Sequence, residues 1–350
     1  MLKIRVLFFL LSFYFVCGNC LWAKSPCQIV YDAGSSGTRL FIYQKVNENW
    51  IEHKGPKTVA LADPVRQVRG VKWSGRDQVV AKIVSSLDLM QDDFNWPKVC
   101  KVESVAVNGT AGMRLAEQKY PKKLKVLWQL LHQKLAQRFG KEVSIQTRTL
   151  TGFEEAVYAW IGLSTRLKSN DFGLIEIGGA SLQLVYPCSD CSDAQKIFLN
   201  GREFDIVASS FLGLGIHEAY ALFAHAKACN DNASEVIKNW KPQDCSNTLS
   251  IIKNQKIPDP YNYRMGKQNQ KVPMLDSANM KLNWYIISNV RFSFARAYKN
   301  YINQKITAGK ATIPPYESWT LGRVMCQSQN CLRYRERRVC RWLKDGCLES

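Results

Sequence analysis

A string of small polar residues separates two apolar, β-prone runs near the start of the chain. The runs cover residues 29–31 and 40–43, and between them stands DAGSSGTR, residues 32–39. Two such runs joined by a glycine-bearing turn predict a β-hairpin. A hairpin has no need of an acid at the entrance of its turn, so Asp32 is a candidate for chemistry.

The same pattern returns in the second half of the chain. Writing YDAGSSGTRLFIY over IEIGGASLQLVYP aligns Asp32 with Glu176 and Gly34 with Gly178, at an offset of 176 − 32 = 144 residues. Chance is the alternative, because strand, small turn and strand is a common sequence in α/β proteins. The matched acids and the domain-sized offset favour an internal duplication. Two similar halves facing each other would place both turns around one cleft.

Two further segments predict a strand followed by a helix. VAVNGTAGMRL, residues 105–115, ends in a helix start where N–H groups favour an anion. TLTGFEEAVYAWIGLSTRL, residues 149–167, predicts a strand to about Leu150 and then a helix that begins with Glu154 and Glu155. Acids in a first turn often only complement the helix dipole. Since adjacent helical residues point in different directions, at most one of them would face a site, where it could be a general base on water.

The first 23 residues predict a secretory signal peptide. Lys3 and Arg5 precede an apolar run at 6–16, and small residues follow at Gly18 and Ala23. An uncleaved anchor is the alternative. No later segment has the roughly 18 consecutive apolar residues of a membrane span, so we expect none in the mature chain. The length of 350 residues, with 46% hydrophobic content, predicts two domains.

Twelve cysteines add a second indication of export. Two lie in the signal segment, and the remaining ten predict disulfides in an oxidising compartment. Spacing does not determine the connectivity. Local pairing would join Cys188/Cys191, Cys229/Cys245, Cys326/Cys331 and Cys340/Cys347, and would leave Cys27 with Cys100. A zinc site is weakly supported, because no histidine lies near the one C-x-x-C motif.

The formal charge of +19 favours polyanionic partners. Without the two basic residues of the signal segment it is 46 − 29 = +17. Such a field suits phosphate-bearing small molecules, nucleic acid or acidic membranes, and it selects none of them. Many of the basic residues, such as those at 122–138, alternate with apolar ones at helical spacing and predict a solvated helix face.

The turn chemistry of the two hairpins predicts phosphate binding. Successive N–H groups in a Gly/Ser-rich turn form an anion-binding nest, and Ser35, Ser36 and Thr38 add hydroxyl donors. Asp32 and Glu176 would repel phosphate, so their expected partner is a hydrated Mg²⁺ or Ca²⁺ ion. Other motifs fail: there is no P-loop and no G-x-S-x-G, and the glycines at 213 and 215 lack the third glycine of a dinucleotide fingerprint.

Five segments together resemble the apyrase-conserved regions of the nucleoside triphosphate diphosphohydrolases, the apyrase/CD39 family. They are DAGSSGTRLFIY, NGTAGMRL, TGFEEAVYAWIG, IEIGGASLQLVY and SWTLG, and they span residues 32–322 in the family's order. The resemblance implies an α/β fold of two duplicated actin-like (ribonuclease-H-type) domains with a cleft between them. It also implies metal-dependent hydrolysis of nucleoside tri- and diphosphates toward the monophosphate.

The resemblance also assigns roles to residues. Glu155 would be the base, and Thr110, Ser181 and Gln183 would place the attacking water. Asp32 and Glu176 would hold the metal through water. The implied phosphate-binding set is Gly34, Ser35, Ser36, Gly37, Thr38, Arg39, Gly178, Gly179, Ala180, Ser181 and Arg114.

The chain departs from the family pattern at two positions. Glu176 stands where the family usually has Asp, which puts metal preference and rate in doubt more than reaction type. Ala156 replaces a usual Gly. Family members stack the base between aromatic residues, and the candidates here remain Trp284, Tyr285, Tyr298, Tyr301 and Tyr316.

The predicted organisation is a signal peptide at 1–23, a first actin-like domain at 24–150 and a second at 151–325. A C-terminal helix at 326–350 would complete the first domain or serve a partner. We expect a secreted or periplasmic monomer without a nucleic-acid partner. Two alternatives stay open: an exopolyphosphatase-like enzyme of the same superfamily, and a non-catalytic basic protein that binds polyanions. A sugar kinase of similar fold is less favoured.

Overall fold

The computed structural model describes residues 24–218 and 282–288. The predicted signal peptide, the fifth motif and the C-terminal helix lie outside the described residues. The chain divides into two compact units that alternate along the sequence. The described part of the first unit is 24–33, 37–108 and 120–148, and that of the second is 34–36, 109–119, 149–218 and 282–288. The tips of the first two motifs thus belong to the second unit.

A five-stranded sheet forms the centre of the first unit. Its strands are β1 (Ser25–Gly34), β2 (Gly37–Val46), β3 (Asn49–Lys57), β4 (Cys100–Gly109) and β5 (Ser144–Thr149), in the order β3-β2-β1-β4-β5. β2 and β3 are antiparallel. Ile29, Tyr31 and Ala33 alternate with more exposed residues along β1 and are at most 1% exposed, as a half-buried strand requires.

Six α-helices lie wholly within the described residues, and helical residues begin again at 216–218. The six are α1 (Asp63–Arg66), α2 (Arg76–Ser85), α3 (Trp96–Val99), α4 (Ala111–Lys119), α5 (Pro121–Phe139) and α6 (Gly152–Leu167). Short 3₁₀ turns occupy Val68–Gly70, Trp73–Gly75 and Asp88–Met90. α5 begins at a proline in its first turn and buries Leu124, Leu127, Leu131 and Leu135, which confirms the amphipathic pattern. None of the described helices is long and apolar enough to cross a membrane.

A second five-stranded sheet lies in the second unit. Its strands are β6 (Phe172–Ile177), β7 (Ser181–Pro187), β8 (Gln195–Leu199), β9 (Arg202–Leu212) and β10 (Asn283–Ser288), in the order β10-β6-β7-β9-β8. β10 is parallel to β6, and the other pairs are antiparallel. Trp160 of α6 packs on Phe172, with ring centroids 5.6 Å apart and both side chains at most 1% exposed.

The predicted duplication is confirmed at the level of the hairpin. β1 and β2 are neighbours in the first sheet, as β6 and β7 are in the second. In each sheet the strand that carries the acid, Asp32 or Glu176, has its hairpin partner on one side and a later strand on the other.

Two disulfides cross-link the described residues. Cys27–Cys100 spans 73 residues of the first unit, and Cys188–Cys191 spans 3 residues of the second. Both are among the pairings that the sequence allows. The other cysteines lie outside the described residues.

Candidate functional site

The first hairpin brings its acid and its arginine together. Ser35 and Ser36 form the turn between β1 and β2. Arg39 Nη1 donates to Asp32 Oδ2 at 2.9 Å, and both side chains are more than a third exposed. Partial burial raises the pKa of the Asp32 carboxyl above its usual value, and the Arg39 guanidinium opposes this shift. The predicted metal-holding acid and the predicted phosphate-binding arginine therefore already contact each other.

Thr38, one of the predicted phosphate-binding residues, lies in a buried position near the start of β2. It is 1% exposed, and its N–H donates to the carbonyls of Thr58 and Val59 at 3.3 and 3.1 Å. The neighbouring Gly37 is equally confined, since a Cβ there would lie 2.6 Å from the Thr58 carbonyl oxygen. The end of β3 closes over these two residues. The Thr38 N–H is thus used within the protein, whereas its Oγ1 is buried without a hydrogen-bond partner among the described residues.

Ser35 joins three of the motifs within the second unit. A Cβ on Gly112, in the second motif, would lie 2.9 Å from Ser35 Cα. A Cβ on Gly179, in the fourth motif, would lie 2.5 Å from Ser35 Oγ. At Gly112 the close neighbour is the backbone of Ser35, which leaves no room for a Cβ, whereas at Gly179 the close neighbours are the side chains of Ser35 and His217. The hydroxyl of Ser35 therefore lies beside the second small-residue turn, in agreement with a shared anion site.

The turn at 178–181 is supported from behind by residues 213–217. The carbonyls of Gly178, Gly179 and Ala180 accept hydrogen bonds from three backbone N–H groups of that segment at 2.8–3.0 Å. A Cβ on Gly215 would overlap the backbone nitrogens of Ala180 and Ser181. The segment 213–217 therefore fixes the backbone of this turn through both its carbonyls and its close approach to the nitrogens of Ala180 and Ser181.

A buried ion pair connects the second and third motifs. Arg114 of α4 is 2% exposed, and its Nη1 donates to Glu155 Oε2 of α6 at 2.6 Å. The same Nη1 lies 3.4 Å from the Leu150 carbonyl, and Nη2 donates to Ser210 Oγ at 3.0 Å. The structure therefore places Arg114, predicted as a phosphate ligand, against the predicted base.

The predicted water-placing residues Ser181 and Gln183 lie on β7 and contact the same network. Gln183 is fully buried, and its Nε2 donates to Ser181 Oγ and, at 3.2 Å, to Ser210 Oγ. Gln183 Oε1 is buried without a hydrogen-bond partner among the described residues. Thr110 stands at the corner before α4, where its carbonyl accepts the N–H groups of Met113 and Arg114.

The two adjacent glutamates of α6 have different partners. Glu154 and Thr151 form a capping box: Glu154 N donates to Thr151 Oγ1 at 3.1 Å, and Thr151 N donates to Glu154 Oε2 at 2.9 Å. Glu155 instead pairs with Arg114. Glu154 therefore caps the start of α6, whereas Glu155 contacts the buried Arg114.

The predicted metal-holding acids suit a hydrated ion better than a protein cage. Glu176 is half-buried on β6, opposite Gln183 in the strand register. Among the described residues, no three His, Cys, Asp or Glu side chains gather into a metal-binding group. Mg²⁺ commonly keeps several waters and takes only one or two carboxylates together with substrate phosphates, so a single carboxylate such as Asp32 or Glu176 is compatible with it.

Two of the aromatic candidates for base stacking lie on β10 and pack into the second unit. The Tyr285 ring meets Phe172 edge-on at 5.4 Å, and Trp284 lies against Gly173 and 5.8 Å from the ring centre of Tyr186. Both therefore contribute to the core. Tyr298, Tyr301 and Tyr316 lie outside the described residues.

Sequence reasoning missed two contributors to this region, Ser210 and Gly215. A signal existed for each. Ser209 and Ser210 interrupt the apolar run of β9, and Gly215 belongs to a glycine pair that fits no dinucleotide motif. Neither signal names a partner, because the partners lie 27 or more residues away in the sequence.

Solved structures identify the fold. The chain is similar to the crystal structure of the Aquifex aeolicus member of the Ppx/GppA protein family, with 12% identity and a TM-score of 0.53 over 92% of this chain and 87% of that one. At this identity the likeness concerns the fold alone. With the two five-stranded sheets, it confirms the expected α/β, actin-like fold class.

The names of the curated relatives describe them as nucleoside tri- or diphosphatases. A nucleoside-triphosphatase of Caenorhabditis elegans is 26% identical over 59% of this chain and 42% of its own length. A guanosine-diphosphatase of Schizosaccharomyces pombe is 29% identical over 55% of this chain and 37% of its own length. The chain thus spans less than half the length of these relatives. The family described as GDA1/CD39 (nucleoside phosphatase) matches residues 24–284. The chain belongs to the GDA1/CD39 family.

Proposed function

We propose that this protein is a secreted, metal-dependent hydrolase of nucleoside tri- and diphosphates. The observation that carries the proposal is the buried network in which Arg114 holds the predicted base Glu155 while Gln183 and Ser181 lie in the same group of hydrogen bonds. Three motifs that are distant in sequence converge there. The names of the curated relatives support the same substrate class.

Glu155 is the proposed general base. In this proposal its carboxylate takes a proton from the attacking water while Arg114 Nη1 donates to Oε2. The guanidinium favours the ionised form of the carboxylate, which a base requires, and it also fixes the direction of the carboxyl group. Arg114 is thus a positioning residue in this proposal, and its expected phosphate contact is replaced by the contact with Glu155.

Gln183 and Ser181 are proposed to orient the same water. The unpartnered Gln183 Oε1 is a buried acceptor, and such an atom normally has a protein or water partner. A water donating to Gln183 Oε1 and to Glu155 would be held at two points before it attacks in line with the leaving phosphate. Thr110, at the start of α4, would complete this group.

The small-residue turns are proposed to bind the phosphates. Gly34, Ser35 and Ser36 supply one turn, with Arg39 following it, and Gly178–Ser181 supply the other. Fixed N–H groups stabilise charge that develops on phosphate oxygens without reorganisation. Mg²⁺ or Ca²⁺, held through water by Asp32 and Glu176, would neutralise further phosphate charge. Because Glu176 has one methylene more than the usual Asp, we expect Glu176→Asp to change the Mg²⁺ to Ca²⁺ activity ratio.

The test of the base is Glu155→Gln, with Glu154→Gln as the matched control on the neighbouring residue. Loss of a well-placed base reduces the rate by about 10²–10⁴, so phosphate release should fall by at least 10²-fold in the first variant. Glu154→Gln should stay close to wild type. Glu155→Asp is a second comparison, because it keeps the charge of the carboxylate. Thermal unfolding of each variant shows whether a lower rate comes from lost chemistry or from lost folding. Near wild-type hydrolysis by folded Glu155→Gln would refute this assignment.

A substrate panel tests the reaction class. Phosphate release is measured from nucleoside tri- and diphosphates and from polyphosphate, each with Mg²⁺, Ca²⁺ or chelator. We expect release from nucleotides that stops with chelator. Because the chain has a formal charge of +17 without its first 23 residues, a polyphosphatase is the second candidate, and faster release from polyphosphate would favour it. Salt-sensitive binding without any release would support a polyanion-binding protein.

A further inference from the structure

Ser210 occupies the junction of the buried network. It lies on β9, is 1% exposed, and its Oγ accepts from Arg114 Nη2 at 3.0 Å and from Gln183 Nε2 at 3.2 Å. Ser210 thus links the arginine of the second motif to the glutamine of the fourth. Burying a hydroxyl group is unfavourable unless it is hydrogen-bonded. The two donors around Ser210 Oγ meet this requirement.

The strand register explains why Ser210 and its neighbour Ser209 differ. In the antiparallel pair of β7 and β9, Ser210 lies directly opposite Gln183, and Ser209 lies opposite Leu184. Directly opposed residues place their side chains on the same face of a sheet, and successive residues alternate between faces. Ser209 is fully buried as well, but it belongs to the face of Leu184. The chain therefore offers a matched control one residue away.

We propose that Ser210 is a positioning residue for hydrolysis, which couples the Arg114–Glu155 pair to the water-placing Gln183. The inference rests on the proposed function and extends it to a residue outside the five motifs. Ser210 itself touches neither the substrate nor the water in this assignment.

The orientation of the Arg114 guanidinium depends on this contact. Nη1 donates to Glu155, Nη2 donates to Ser210, and Nε has no partner among the described residues. A planar guanidinium held at only one end can rotate, whereas two contacts on different nitrogens fix its plane. Without the Ser210 oxygen, Arg114 would hold the Glu155 carboxylate less firmly.

The direction of the Gln183 amide depends on it too. Its Nε2 faces Ser181 and Ser210, which turns Oε1 to the position assigned to the water. Loss of one of these two acceptors leaves the amide freer to rotate. Both effects reduce the fraction of molecules with a correctly placed base and water, and neither removes a substrate contact.

Ser210→Ala therefore has a distinct kinetic signature. We expect kcat for phosphate release from a nucleoside diphosphate to fall roughly 10-fold, the value of one lost hydrogen bond to a charged group, with KM nearly unchanged. A weaker Arg114–Glu155 pair stabilises the ionised carboxylate less, so the acid limb of the kcat profile should move to higher pH. Ser210→Thr keeps the oxygen and should recover most of kcat.

The experiment compares wild type, Ser210→Ala, Ser210→Thr and Ser209→Ala in kcat, KM, pH profile and melting temperature. Ser209→Ala should keep the wild-type kcat and acid limb. The proposal is overturned if Ser210→Ala matches Ser209→Ala in kcat and pH profile, or if Ser210→Ala and Ser210→Thr lose kcat and melting temperature to the same extent. A wild-type protein that releases no phosphate from any nucleotide refutes the proposed function itself, and this inference with it.

Discussion

The two units share a hairpin, but the residue seven positions after the acid has a different role in each. Arg39 follows Asp32 at this distance, and Gln183 follows Glu176. Arg39 reaches back to its acid at 2.9 Å. Gln183 lies opposite Glu176 in the register and directs its amide to Ser181 and Ser210 instead. The first hairpin thus places a cation against its own acid, whereas the second places a neutral amide in the polar network.

The arginine in the second unit comes from another motif and from a more buried position. Arg114 and Glu155 are 2% and 15% exposed, compared with 37% and 36% for Arg39 and Asp32. Exposed pairs gain little because water already solvates both charges, whereas a buried charge becomes costly as soon as its partner is removed. Similar pairs should therefore respond very differently to the same substitution.

The largest expected effect is that of Arg114→Met. It leaves the Glu155 carboxylate without its guanidinium and should lower the free energy of unfolding by about 3–5 kcal/mol. Arg39→Met, the matched change in the first hairpin, should cost about 0–1 kcal/mol. Urea unfolding of both variants measures the difference. Equal losses would show that burial does not separate the two pairs.

This contrast also marks how far the sequence predicts the site. The alternating runs around Asp32 and Glu176 predict both hairpins, because the strand period is visible within a few residues. The contact between Arg114 and Glu155 joins residues 41 apart and depends on how α4 and α6 pack. Thr38 lies in a motif that predicts phosphate binding, but the two residues after β3 accept its N–H. Local patterns specify elements, whereas partners across elements follow from packing.

The two disulfides should also stabilise the units unequally. A cross-link restricts the unfolded chain more when it closes a longer loop. Replacing Cys27 and Cys100 by Ala opens a loop of 73 residues and should cost about 4 kcal/mol, whereas the same change at Cys188 and Cys191 opens a loop of 3 residues and should cost about 1.5 kcal/mol. Thermal unfolding of both double variants gives the order. The reverse order would mean that native packing around the sulfurs outweighs loop length.

Helix capping is a smaller difference. The Glu154 side chain closes the capping box with Thr151 at the start of α6, whereas α1, α2, α3 and α5 of the first unit have no side-chain cap. Glu154→Ala should lower the stability by about 1 kcal/mol and leave phosphate release unchanged. A melting curve and a rate measurement on the same sample test both statements. A rate loss as large as that of Glu155→Gln would contradict the division of roles between the two glutamates.

The smallest effect concerns a pair in which the acid is the buried member. Asp63 is 4% exposed, and Arg69, 45% exposed, donates to it at 3.4 Å. Burial raises the pKa of Asp63 above its usual value, while Arg69 and Arg66 oppose the shift. The folded state therefore binds this proton more tightly than the unfolded state does. As pH rises from the ordinary aspartate pKa through the raised one, the stability contributed by this group falls.

Asp63→Asn removes this titration, so the stability of the variant relative to wild type should rise with pH across that window. Asp92→Asn, at an exposed acid of the same unit, is the control because it makes the same change in charge. Urea unfolding at several pH values from about 3 to 7, which brackets the ordinary aspartate pKa, compares each variant with wild type. If the two variants change the pH dependence equally, burial of Asp63 has no thermodynamic consequence. If only Asp63→Asn gains stability relative to wild type as pH rises, burial of the carboxylate governs this pair, as burial of the guanidinium governs Arg114 and Glu155.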